Sequence, residues 1–418
     1  MLGTYLPRVV DGELLAHLDA SGAVVIEGPR ACGKTRTARH RAASEVLLDT
    51  DETARRAIAV DPALVLEGST PRLIDEWQLE PTIWNHVRRA VDDRGARGQF
   101  ILTGSAVPAD DVTRHSGAGR ITRLRMRPMS LFESGHSSGT VSLKGLLDAV
   151  PASAADPRLE IGDLIERICV GGWPALVSLD SKEAMLTLRG YVDEIARADM
   201  SRVDGVRRDP ERVSRLLRSL ARNVATYVAV TTLAADVERP DESLDDNTAH
   251  RYLDALDRLM VTENQPAWAP HLRSKASFRR SVKRHFVDPS LAVAALDATP
   301  DRLKADLNLT GFLFESLVVR DLRVYAQAAG ANVLQYRDNT GLEVDAIVET
   351  RDGRWGAFEI KLGAGSVDEG ASSLLRFARK VDTSKSGKPS VLAVIVGNGY
   401  GYVRPDGVAV APIGALGP

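Results

Sequence analysis

The chain reads as an α/β protein built from several modules, and three observations point there. A short apolar run, Ala23-Val24-Val25-Ile26, leads into Gly28-Pro29-Arg30-Ala31-Cys32-Gly33-Lys34-Thr35, and helix-forming residues follow over 36–43. Two further strand-like runs, over 72–76 and 100–105, enclose an amphipathic stretch at 83–93. That alternation builds a parallel sheet flanked by helices. Near the C-terminus, helix, three strands, helix and strand follow one another as a second α/β pattern.

Composition bounds the class. The 418 residues suffice for about two to four domains with real cores. Apolar residues make up 44% and charged residues 26%, which excludes collagen-like and disordered classes. No apolar run approaches the roughly 18–20 residues of a membrane span, and nothing from Met1 onward reads as a secretory signal. The chain holds two cysteines, Cys32 and Cys169, too few for a disulfide framework, so a reducing cytoplasm is expected. The net charge of −2 gives no global sign of nucleic acid, but residues 273–284 carry six cations and no acid.

The first loop is the pattern G-x-x-x-x-G-K-T, and its chemistry requires the strand–loop–helix context present here. Main-chain N–H groups of the loop, from Gly28, Arg30, Ala31, Cys32 and Gly33 (Pro29 has none), would converge on phosphates with the positive end of the next helix. Lys34 would reach the β- and γ-phosphates, and Thr35 would hold Mg²⁺. A plain glycine-rich turn is the bland alternative, and the context argues against it. The expected cofactors are ATP and Mg²⁺.

About forty residues on, Arg72-Leu73-Ile74-Asp75-Glu76 reads as a strand ending in paired acids. Asp75 would hold the water shell of Mg²⁺, and Glu76 would polarise the attacking water. The strand Phe100-Ile101-Leu102-Thr103-Gly104-Ser105 ends in small hydroxyl residues. There Thr103 or Ser105 would sense the γ-phosphate, though an ordinary strand end explains them nearly as well. Arg120, behind Gly117-Ala118-Gly119, would stabilise transition-state charge from its own or a neighbouring subunit. With Arg123, Arg125 and Arg127 nearby, a solvated basic strand is the competing reading.

These residues carry a resemblance. The loop, Leu73-Ile74-Asp75-Glu76-Trp77-Gln78, the 100–105 strand, and Arg120 followed by Arg127-Pro128-Met129-Ser130-Leu131-Phe132-Glu133 look like one bacterial and archaeal AAA+ family. It joins an ATPase to a C-terminal region known as DUF4143. Later landmarks agree: Gly171-Gly172-Trp173-Pro174, Phe286-Val287-Asp288-Pro289-Ser290-Leu291, and Gly311-Phe312-Leu313-Phe314-Glu315. Cys32 departs from the small or aliphatic residue expected at its position and would set a thiol near the phosphates. The resemblance implies an AAA+ core over 1–150 that oligomerises. Residues 163–170 and 182–199 read as helices around the Gly171–Pro174 turn, with Trp173 as a core or interdomain anchor, and the resemblance implies a helical lid there, over 151–204.

Residues 205–297 read as three helices, over 210–223, 230–237 and 245–260, followed by the basic stretch and a strand-like His285-Phe286-Val287. That order fits a winged helix-turn-helix whose third helix would enter a major groove. Against DNA stand Asp241, Glu242, Asp245, Asp246, Asp254 and Asp257 around that helix, and winged helices also dock proteins. Residues 298–418 resemble the PD-(D/E)xK nuclease core, with Asp345 on one strand and Glu359-Ile360-Lys361 on the next. Adjacent antiparallel strands would bring Asp345 and Glu359 together to bind a metal ion with the Ile360 carbonyl. Glu315 would complete the shell, and Lys361 would orient a water or offset phosphorane charge. A fold that binds DNA without cutting it, or a salt-bridged Lys361, is the alternative. Two functions stay open: a DNA-dependent ATPase of genome maintenance acting on duplex or branched, junction-like DNA, and a regulatory or defence switch that docks protein partners.

Overall fold

A computed structural model describes residues 5–105, 116–203, 205–237, 246–270 and 282–418 of the chain. Of the basic stretch, residues 273–281 lie outside the described residues, as do Asp241, Glu242 and Asp245. The chain clusters into two compact units. One comprises Met1–Pro128, Ala198–Arg207 and Asp254–Val261, the other Met129–Arg197, Arg208–Leu253 and Thr262–Pro418. This division is coarser than the four segments expected from sequence, and it groups residues 129–150 with the C-terminal residues.

The first unit begins with α1 (Val10–Ala20), β1 (Ala23–Glu27), α2 (Lys34–Arg39), β2 (Ser44–Leu47) and α3 (Glu52–Val60). Asp51 caps α3 by accepting from Ala54 N at 2.9 Å. There follow β3 (Arg72–Asp75), α4 (Ile83–Arg94), β4 (Phe100–Gly104) and β5 (Ile121–Arg125). The strands form one sheet in the order β2-β3-β4-β1-β5, with every pair parallel. Ala23, Val24, Val25 and Ile26 are all fully buried, as a strand covered on both faces requires. One side of the core gathers Val25, Ile74, Trp77, Trp84, Phe100 and Leu102. Because all strands run one way, Glu27, Asp75 and Gly104 end at the same edge, where ligands of open parallel sheets bind.

The second unit opens with β6 (Val141–Ser142), α5 (Leu143–Leu147), α6 (Ile161–Val170) and α7 (Ser181–Glu194). A π-helical turn over Ile195–Asp199 and α8 (Met200–Arg202) then carry the chain into the first unit. After α9 (Pro210–Arg222), α10 (Val230–Val237) and α11 (Asp246–Arg258, of which the part from Asp254 belongs to the first unit) come α12 (Pro289–Ala295), α13 (Pro300–Ala305) and α14 (Leu307–Ala328). The small residues of α12 let it pack closely on α6, α7 and α9. Trp173 is buried in this core and donates to Ser290 Oγ at 3.0 Å. Isolated antiparallel bridges join Thr226 to Arg284, Thr262 to Phe286 and Gln265 to Lys283.

The rest of the unit is a six-stranded sheet. It consists of β7 (Ala331–Arg337), β8 (Glu343–Thr350), β9 (Trp355–Lys361), then α15 (Val367–Lys380), α16 (Thr383–Ser386) and β10 (Val391–Val396). Next come β11 (Tyr402–Val403), β12 (Ala409–Pro412) and β13 (Leu416–Gly417). The order is β11-β12-β10-β9-β8-β7, while β13 pairs separately with β6. β7, β8 and β9 form an antiparallel meander, and β10 runs parallel to β9. α15 packs on β8, β9 and β10, burying Val367, Leu374 and Phe377 against Trp268, Trp355 and Tyr336.

Candidate functional site

At the carboxyl edge of the parallel sheet, five side chains meet. Lys34 is buried at the start of α2, and its Nζ donates to the Gly28 and Pro29 carbonyls at 2.9 and 2.8 Å. Two of its three N–H donors are thus spent on the loop, and a third is left for an anion. Thr35 Oγ1 donates to Asp75 Oδ1 at 2.9 Å, and Thr103 Oγ1 donates to the same oxygen. Glu76 follows directly in the left-handed region at φ 54, an uncommon conformation for a residue with a Cβ, of the kind found at functional sites. Its carboxylate accepts from Gln78 Nε2 and from Ser105 Oγ at 3.4 Å.

The loop is shaped by what lies beneath it. Gly33 caps α2 at φ 106, and Ala31 is also left-handed at φ 61. A Cβ on Gly28 would fall 2.3 Å from Met126 O, so the strand end tolerates only glycine there. Cys32 is fully buried, its Sγ directed at Met126 O, so the thiol lies under the loop and not beside the phosphate cradle. Arg30 pairs with Asp199 at 2.7 Å. Arg8, missed by sequence reading, is buried and donates to Cys32 O at 2.8 Å and Arg127 O at 2.7 Å. It ties the loop to the chain after β5. A lone arginine before the first helix carries no local signal of that role.

A threonine hydroxyl beside one carboxylate, under a ring of main-chain donors, fits a hard cation that keeps most of its water. Mg²⁺ suits these residues, and Thr35 and Asp75 would hold it. Arg120 is not brought to this edge. It precedes β5, whose Ile121 lies opposite Ala23 at the amino end of β1, about 16 Å of strand away from the loop. Its Nε donates to Asp92 Oδ1 at 2.8 Å, and that bond holds the Asp92 carboxyl below its usual pKa.

In the second unit, Glu315, Asp345 and Lys361 line a cavity of about 580 Å³ together with Lys283 and Tyr227, and Glu359 lies against Lys361. The β8–β9 ladder is paired up to Ala346 and Phe358. Beyond it, Asp345 Oδ2 accepts the Ile360 N–H at 2.9 Å. Glu359 Oε1 accepts from Ser373 at 3.2 Å, and Glu359 Oε2 pairs with Lys361 Nζ at 3.3 Å. The buried Lys283 ammonium donates to Glu315 and lies 3.3 Å from Asp345 Oδ1. Burial pushes the Glu359 carboxyl up to about 8, with Asp345 adding to the rise. Burial alone would depress Lys283, but the Glu315 and Asp345 carboxylates outweigh it and hold the ammonium above its ordinary pKa.

This donor set does not fit a divalent metal. The oxygens of Asp345 and Glu359 and one of Glu315 are already engaged by N–H or O–H donors. A lysine, Lys283, stands among the acids expected to form that shell, Asp345, Glu359 and Glu315. Lys283 had no sequence signal, because Lys283-Arg284-His285 reads as one more basic stretch.

Residues 20–134 match a family described as an AAA domain. Residues 161–302 and 310–416 match two domains of unknown function, DUF8612 and DUF4143. No curated protein matches the chain. Among solved structures, the Walker-type ATPase of Pyrococcus abyssi is similar at 12% identity and a TM-score of 0.44, covering 70% of this chain and 96% of that one. At that level the likeness carries no weight here. No helix among the described residues is long and apolar enough to cross a membrane. The chain therefore carries an AAA domain around the Gly28–Thr35 loop and a DUF4143 region over its last quarter.

Proposed function

We propose that this chain is a Mg²⁺-dependent ATPase acting on duplex or branched DNA in genome maintenance, and that its C-terminal unit recognises DNA without cutting it. The observation that carries the ATP half is the convergence of Lys34, Thr35, Asp75, Glu76 and Thr103 at one sheet edge. Lys34 binds the terminal phosphates. Thr35 and Asp75 hold Mg²⁺, which neutralises phosphate charge when bound. Glu76 orients the attacking water, while Gln78 and Ser105 fix its carboxylate. Thr103, bonded to Asp75, is the γ-phosphate sensor. Arg120 lies too far from its own loop to serve it, so any contact it makes is with the nucleotide of a neighbouring copy in a homo-oligomer.

The DNA half rests on the order of α9, α10 and α11, followed by antiparallel bridges at 262–265 and 283–286. This order supports a winged-helix module. The sheet of helix, meander, helix and parallel strand supports a nuclease-like fold. The engaged carboxylates argue against cutting. A second reading, a nucleotide switch that docks proteins, draws on α11, which exposes Asp246 and Asp254, poor partners for phosphate.

ATP turnover against single-stranded, duplex, forked and junction DNA tests the proposal, with Glu76→Gln as the control for background hydrolysis. Turnover should rise with duplex or junction DNA, and binding should weaken steeply with salt. Hydrolysis indifferent to every DNA form would hand the case to the switch reading.

A further inference from the structure

We propose that Lys283 takes the place of a divalent cation in the C-terminal pocket. Its ammonium, held between Glu315 and Asp345, leaves the site metal-free, and a divalent-cation site exists there only once that ammonium is removed. The backbone fixes the lysine. Lys283 N donates to Gln265 O at 3.1 Å, and Gln265 N donates to Lys283 O at 2.8 Å. The side chain is buried, and Nζ sits 5.8 Å from the centre of the Tyr227 ring, a further stabilising contact for a cation. Two carboxylates from α14 and β8 therefore converge on one positive atom, as they would on a metal ion.

Space does not exclude the metal, because the adjoining cavity is large enough for a hydrated ion. Charge does. Lys283 Nζ lies against both Glu315 and Asp345, so replacing it by a neutral residue leaves those two acids with no ammonium between them. Oxygens released from an N–H donor then become available to a hard cation.

Mn²⁺ titration of the nucleotide-free full chain, followed by electron paramagnetic resonance, decides the matter. The wild type and Asp345→Asn should give the same titration, which also accounts for any Mn²⁺ held near Asp75. Lys283→Met, or the milder Lys283→Gln, should gain a saturable Mn²⁺ signal that is lost again when Asp345→Asn is added. A wild-type Mn²⁺ site abolished by Asp345→Asn would overturn the proposal, and that comparison needs no Lys283 variant to fold. Folded Lys283 variants, checked by circular dichroism, that gain no site would overturn it equally.

Discussion

The Glu359 carboxylate lies under α15, partnered by Ser373 and Lys361, yet burial outweighs those partners and lifts its pKa from 4.5 to about 8. Between those values the folded chain keeps a proton that the unfolded chain has lost. Its contribution to stability is therefore full below pH 4.5 and falls away as pH rises towards 8. Glu359→Gln mimics the protonated acid and removes this slope. At pH 8 the variant should be more stable than the wild type by about 1–3 kcal/mol, seen as a higher melting temperature, and the gap should close towards pH 5. His285 acts in the opposite sense, since burial pushes its pKa well below 6.5, but it contributes equally to both proteins. Paired thermal melts across this range check the prediction. A gap that does not depend on pH would mean that Glu359 stays ionised throughout.

At the level of elements, the turn after α6 is bound to its neighbours by close approach and buried charge. Gly172 N donates to Asp288 Oδ2 at 3.0 Å, Arg320 of α14 pairs with Asp288 at 2.8 Å and Asp321 at 2.7 Å, and Asp321 accepts from Leu131 N at 3.0 Å. A Cβ on Gly172 would stand 2.0 Å from Met129 O, so backbone must move to admit one. Gly172→Ala should cost about 3 kcal/mol, read as a lowered urea midpoint with an unchanged slope; a neutral substitution would mean that the 129–131 segment yields freely. The motif Gly171-Gly172-Trp173-Pro174 was legible as a turn, amphipathic patterns revealed α4, α9 and α11, and the long strands were legible as apolar runs, whereas α1 and α3 were not read. β2 was not, because Ser44-Glu45-Val46-Leu47 is short and half polar. Placement across the chain was less legible still. Lys283 is buried by acids 32 and 62 residues away, and the glycines before Arg120 do not reveal which end of a strand it occupies. The thiol of Cys32 turns inward because of Met126, a residue 94 positions on.

Across the whole molecule, neither unit is a continuous stretch of chain. The first unit takes Ala198–Arg207 and Asp254–Val261 from beyond its main segment. From these, Asp199 pairs with Arg30 of the loop, and the Val203 carbonyl accepts from Arg258 at 2.7 Å. A fragment ending at residue 128 therefore keeps the loop but loses Asp199, a partner of Arg30. A fragment ending at 150, where the sequence suggested a boundary, fares worse. It carries Met129, Leu131, Leu143, Leu146 and Leu147, all buried in the full chain within the other unit. It also carries β6, whose partner β13 lies at residues 416–417. That fragment should expose contiguous apolar surface, and such surface promotes self-association. Size-exclusion chromatography and thermal melts of both fragments beside the full chain test this. The expected outcome is an aggregating 1–150 and a 1–128 that melts below the intact protein. A monomeric 1–150 melting as cooperatively as the full chain would show that residues 129–150 find their burial without the C-terminal strands.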